Sequence, residues 1–349
     1  MSERRERGPS GPAEGQERTA PVIGWYVHHH GQGHLQRLRC IAAALDHPVT
    51  ALSSLPCPDG FAGGWVALAD DGPTGTDADV TAGGTLHWAP RHHPGLRERM
   101  ATIATWVAEA QPALVVVDVS VEVAVLVRSM GVPVVVAAMR GDRMDRAHRG
   151  AYDLADALLA PWPADLPEPW PQAWLDKTWH VGAVSRLDGR RSAPPPGDRR
   201  VAVLWGRGGS EVTAVDVCSA GAATPGWTWE ACGLPGGPWV EDPWPLLQGA
   251  DVVVTHGGQN ALAEAAAARR PTVVVPQARP HDEQVANAAA LERGGIALVE
   301  HGWPAPEAWP GVLDRAAALD PTRWARWSDG GGAVRAAAHL DAAAACAQR

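Results

Sequence analysis

The chain has 349 residues, 46% of them hydrophobic and 20% charged, with a formal net charge of −9. That size suits two domains sharing one function, and the composition suits a folded core, not a disordered chain. The negative balance excludes bulk attraction to nucleic acid, though it leaves peripheral contact with a membrane open.

Residues 1–20 are charged, rich in Gly and Pro and without an apolar stretch, so they read as a disordered tail and not as a secretory signal. No apolar run reaches the roughly 18 residues of a membrane span. Five cysteines are scattered without a CxxC pair, which argues against a zinc knuckle and for a reducing, cytoplasmic setting. Trp outnumbers Tyr and Phe by 17 to 2 and 1, and Lys177 is the only lysine. Both biases are expected from genomic base composition.

Residues 22–27 predict a strand, and the HHHGQGHLQRL segment then leads into a helix over 35–45. A second strand is expected at 49–52 and a loop at 59–85. The β-branched runs 113–117 and 132–136 read as strands buried on both faces of a parallel sheet, with a crossover helix at 121–130 ending at Gly131. Residues 186–200, with three consecutive prolines, are the best linker in the chain. The pattern then restarts with a strand at 201–205 and the turn Gly206-Arg207-Gly208-Gly209-Ser210. Strands at 251–254 and 272–275 flank a helix that opens on His256-Gly257-Gly258, and residues 331–349 form a closing helix. This alternation predicts an α/β protein with two doubly wound domains, 21–185 and 201–330.

The Gly257-Gly258 pair at a helix mouth leaves backbone N–H groups and the positive end of the helix dipole for a phosphate. Gln259 and Asn260 open that helix, and His256 beside it is placed to donate to an oxygen. Glu264, about two turns further along, suits the paired hydroxyls of a ribose. Asp282, Glu283, Gln284 and Asn287 open the next helix and suit sugar hydroxyls. In the first half the dinucleotide fingerprint fails: Gly31 and Gly33 are present, but Gln36 holds the third glycine position. The second strand also ends in Ser53 and Ser54 without a carboxylate. NAD is therefore not expected. His28, His29 and His30 point in alternating directions at a strand end, so no metal site is read there.

The series His256, Gly257, Gly258, Glu264, Pro271, Pro276, Asp282, Gln284 and Asn287 resembles the nucleotide-sugar site of GT-B glycosyltransferases of families 1 and 28. Family 28 includes the enzyme that adds GlcNAc to the peptidoglycan lipid precursor. The resemblance implies two Rossmann-like domains facing a cleft, the second binding an NDP-sugar, with UDP favoured because Glu264 fits a ribose diol. It implies donor contacts from Gly33, Arg207, Gly209, Ser210, Val240, His256, Gly257, Gly258, Gln259, Asn260, Glu264, Asp282 and Gln284. It also implies that His34 is the base and Asp118 its orienting carboxylate in an inverting, metal-independent hexose transfer. No cofactor is implied beyond the donor itself. The acceptor is a small molecule or a lipid-linked hydroxyl, and the closing helix packs back on the first domain. Two other readings remain at this stage: an enzyme like UDP-GlcNAc 2-epimerase, and a sugar-nucleotide-binding protein without catalysis.

Overall fold

The computed structural model describes residues 20–29, 32–206 and 211–347. All but the last residue of the expected tail lies outside the described residues. Two all-parallel sheets organise the chain. The first runs in the order β3-β2-β1-β4-β5-β6-β7. Its strands are β1 (Ile23–Val27), β2 (Val49–Ser53), β3 (Gly64–Ala67), β4 (Leu114–Asp118), β5 (Val134–Ala137), β6 (Ala157–Ala160) and β7 (Thr178–His180). The second runs β12-β11-β10-β8-β9. It consists of β8 (Arg200–Leu204), β9 (Thr228–Cys232), β10 (Val252–Thr255), β11 (Thr272–Val274) and β12 (Leu298–Val299).

The central strands are apolar because they are covered on both faces. Every residue of β1, β4, β5 and β10 is buried. In both sheets the strand order reverses beside the first strand of the domain, with β1 between β2 and β4 and β8 between β9 and β10. A crevice opens at such a point beyond the carboxyl ends of the strands. His34 follows β1, Asp118 ends β4, and His256 follows β10, so all three stand at those ends.

The segment 59–85 is not all loop. Gly64–Ala67 pairs in parallel with β2 as the sheet's edge. Residues 186–200 are also more than a tether. Arg190 bonds Asp242, Ala193 N–H bonds Gln248, and Gly197 N–H bonds Asp251 Oδ1 at 2.6 Å, which fastens the stretch along the second domain.

The helix Gly332–Cys346 returns to the first domain. Its Ala336, Ala337, Leu340 and Ala344 share one buried cluster with Ile23, Trp25 and Leu38. Arg335 donates to Val181 O, and Asp341 accepts from the His47 backbone N–H and ring. The tryptophans have a structural use whatever their origin. Trp205, Trp303, Trp309 and Trp229 meet edge to face or tilted in the second domain, and Trp162, Trp170 and Trp174 do so in the first. No helix among the described residues is long and apolar enough to cross a membrane.

Candidate active site

The first domain contributes a histidine–carboxylate pair. His34 lies in the first turn of the helix Gly33–Ala42, and its Nδ1 is 2.8 Å from Asp118 Oδ1. Arg37, one turn further along the same helix, donates to the same oxygen at 2.7 Å. Asp118 is fully buried, and burial alone would raise its pKa. Arg37 and His34 together outweigh that and hold the carboxyl down to about 2. An ionised acceptor on Nδ1 makes Nδ1 the N–H and leaves the Nε2 lone pair free to take a proton. His28 approaches the other side of this ring, edge on at 6.0 Å, and stacks on His29 at 4.7 Å.

The second domain contributes a neutral donor array. His256 Nδ1 accepts the Gly258 N–H at 2.9 Å, so its proton sits on Nε2. Burial, with Arg279 adding to it, pushes this ring down to about 4. At neutral pH it is therefore an uncharged N–H donor. Its Nε2 lies against Gly206. Both turn glycines are forced by space: a Cβ at Gly257 would stand 2.5 Å from Gln284 O, and one at Gly258 would stand 2.4 Å from the His256 ring. Gly258 caps the helix Gln259–Ala268 without any side-chain bond, so the first-turn N–H groups remain for a ligand.

One side chain joins the two halves. The Arg37 guanidinium that bonds Asp118 through NH1 also donates through NH2 to Gln259 Oε1. Gln259 Nε2 stays buried and unpartnered among the described residues. Gly33 faces Asn260, whose side-chain nitrogen would lie 3.4 Å from a Cβ at that glycine. The mouths of the two helices thus meet across the cleft.

Several expected donor residues have different surroundings from those the sequence suggested. Glu264 is held by Arg186, Nε to Oε1 at 2.7 Å, and Arg186 also reaches Glu241 O. Burial raises the Glu264 pKa against the pull of Arg186. Gln284 does not project freely toward a sugar: its Oε1 accepts from Gly257 N–H at 3.1 Å and Gln277 N–H at 3.0 Å. Asn287 donates to Gly257 O at 2.8 Å. These two amides clamp the glycine turn. Asp282 is exposed and precedes the helix Glu283–Arg293 in a left-handed conformation, φ 54°. The inward acid is Glu283, whose pKa burial raises while Arg143, His34 and Arg37 pull it down. Residues 283, 284 and 287 share one helical face, which 282 precedes.

Val240 and Trp239 are exposed beside Glu241, where a flat base could lie. Arg207, Gly209 and Ser210 lie outside the described residues, as do His30 and Gly31. A groove of about 750 Å³ runs along the first domain from Val121, three residues past Asp118, between Leu86, Val125, Met144 and Ala147.

Residues 241–301 match the glycosyltransferase family 28 C-terminal domain. No curated protein matches the chain. Solved structures similar to it include the spinosyn forosaminyltransferase SpnP, at 14% identity and TM-score 0.66 over 93% of this chain and 99% of that one. UGT2 of Phytolacca americana, complexed with UDP-2fluoro-glucose and pterostilbene, aligns at 15% identity and TM-score 0.66, over 95% of this chain and all of that one. MurG of Acinetobacter baumannii aligns at 13% identity and TM-score 0.61, over 92% and 99%. The paired parallel sheets, the facing helix mouths and the matched segment lead to one conclusion: the chain has the GT-B glycosyltransferase fold, and its residues 241–301 are similar to the family 28 C-terminal domain.

Proposed function

We propose that the protein is an inverting glycosyltransferase that moves a hexose from a UDP-sugar to an acceptor hydroxyl without a catalytic metal. The observation that carries this reading is the Arg37 bridge, which sets the His34–Asp118 pair against the N-terminus of the Gln259 helix. A base and a diphosphate site must be neighbours for in-line displacement at an anomeric carbon.

In this mechanism His34 Nε2 takes the proton of the acceptor hydroxyl as its oxygen attacks, and Asp118 stabilises the resulting imidazolium. The bond from the anomeric carbon to the diphosphate breaks on the opposite face. The leaving charge is met by His256 Nε2–H, by the N–H groups of the Gln259 helix and, as the sequence resemblance implies, by Arg207, Gly209 and Ser210. Glu264, braced by Arg186, receives the ribose hydroxyls through the carboxylate oxygen Arg186 leaves open. Trp239 and Val240 edge the base. Glu283 reads the sugar, Asp282 adds only a weak contact from the exposed rim, and Gln284 acts through the shape of the glycine turn.

Similar structures hold UDP-2fluoro-glucose in one case and dTDP in another. Glu264 favours UDP, since a deoxyribose lacks one of the two hydroxyls. The acceptor lies against the first domain, and the groove lined by Leu86, Val121, Val125 and Met144 offers it an apolar wall. The test is UDP release from a UDP-sugar panel with mixed acceptors, comparing wild type with His34→Ala. UDP binding without turnover over that panel would reject catalysis. Conversion of the donor sugar without acceptor would instead favour epimerisation.

A further inference from the structure

Away from the Arg37 bridge, four side chains from three separate segments converge at the seam between the domains. His87 comes from the loop after the long 59–85 stretch, and Asp145 and His148 come from the start of the helix Arg146–Leu154. His281 comes from the second domain. One ligand atom from each lies within 4.8 Å of the other three. His87 Nε2 is 3.1 Å from Asp145 Oδ1, His148 Nδ1 bonds Asp145 Oδ2, and His281 Nδ1 is 3.7 Å from that same oxygen. The rings of His87 and His281 both pack on His148, at 4.3 and 4.5 Å between centroids.

We propose that this group is a structural site for a divalent transition metal, Zn2+ by its donor chemistry, which clasps the second domain to the first. Three imidazoles and one carboxylate are the borderline nitrogen and oxygen set that Zn2+ prefers, and four protein ligands close a tetrahedron. With bonds of about 2.0–2.1 Å, the edges of such a tetrahedron are roughly 3.4 Å, so contraction from the present spacing is modest.

The backbone around the site is already set. Asp142 N–H holds His281 O at 2.8 Å across the seam, and a Cβ at Gly141 would come within 2.1 Å of that oxygen. His281 itself adopts φ 61°, ψ 20°, an unusual conformation for a residue with a side chain. Asp145 is the helix cap, bonded by the Ala147 and His148 N–H groups, so its carboxylate is oriented before any ion arrives.

One contact must change. Arg143 NH1 donates to His148 Nε2 at 3.1 Å, which places the ring proton on Nδ1. Metal on Nδ1 requires the proton on Nε2, so the neutral ring exchanges tautomers through solvent and Arg143 turns away. The other partners of the guanidinium are Met139 O and Arg140 O. No net proton is released from His148. The site adds nothing to the chemistry at His34 and stands or falls separately from it.

The experiment uses the full chain without an affinity tag, stripped by chelator and titrated with Zn2+, and with Co2+ as a spectroscopic probe. The expected result is a single bound ion per chain, with the intense visible bands of tetrahedral Co2+. His281→Gln and His87→Gln, both at partly exposed positions, should each weaken binding by more than about tenfold. Binding that survives both substitutions would place the ion elsewhere, at His28 and His29 for example, and overturn the assignment. So would an absence of binding in the wild type.

Discussion

The two cleft histidines both stand just past the carboxyl end of a buried central strand, β1 and β10, yet they are built as chemical opposites. His34 Nδ1 faces a buried carboxylate, which leaves Nε2 as a lone pair. His256 Nδ1 faces a backbone N–H, which leaves Nε2 as a donor. The partner of the first ring nitrogen decides the role of the second, so one residue type supplies a base in one domain and an anion clamp in the other. A carboxylate beside His256 would repel a diphosphate, and an N–H beside His34 would remove the base.

The sharpest way to break this comparison is to remove each ring in turn. His34→Ala should lower kcat by about 10³-fold while UDP still raises the melting temperature as in wild type. Unchanged turnover would remove the base assignment. His256→Ala should cost about 10²-fold, as loss of an oxyanion donor does, and should weaken UDP binding as well. An effect confined to the acceptor KM would contradict the donor role. Glu264→Ala should cost UDP about tenfold in affinity, roughly 1.4 kcal/mol, and dTDP less, as read by thermal shift. Equal losses for the two nucleotides would mean that Glu264 only braces Arg186.

Acid titration sharpens the contrast further. Unfolded His256 takes up a proton near pH 6.5 but the folded ring only near 4, so stability falls as pH drops through that window, by up to about 1.4 kcal/mol per pH unit. His148 adds to the slope in the same sense, because burial, reinforced by Arg143 and His87 against the Asp145 hydrogen bond, also brings it to about 4. The contribution of Asp118 has the same sense in a lower window: it is complete above about pH 4 and is lost as pH falls toward 2. His256→Gln should flatten the slope between pH 6.5 and 4, measured by denaturant unfolding, and an unaltered slope would reject a buried neutral ring. The smallest effect separates neighbours. Asp282→Ala should stay within about twofold in kcat/KM, while Glu283→Gln should lose about tenfold if the buried acid reads the sugar.

The runs of buried Val and Leu in β4, β5 and β10 were legible because a strand covered on both faces leaves no alternation to misread. The edge strand Gly64–Ala67 was hidden: its end residues are exposed and glycines precede it, so only its pairing with β2 declares it. At the site, His34 with Asp118 and His256 with its glycines could be read from position at strand ends. The Arg186–Glu264 and Arg37–Gln259 pairs could not, since each joins segments far apart in the chain whose meeting depends on how the domains face each other. Gln284 looked like a sugar reader because its type fits that task. A helix start buried against the glycine turn uses the same amide for the backbone.

The return of the last helix to the first domain makes the polypeptide pass between domains twice. The passes are neighbours: Ala183 N–H bonds Trp327 O at 3.1 Å, and the Ser328 hydroxyl reaches Ala183 O. Like two leaves joined by a single pin, the domains can swing apart along that line but cannot twist freely about it. Cutting the chain once between Asp188 and Gly197 should therefore leave the halves joined and in register. Removing the helix Gly332–Cys346 as well would free them to tumble independently, which small-angle scattering would register as a larger radius of gyration.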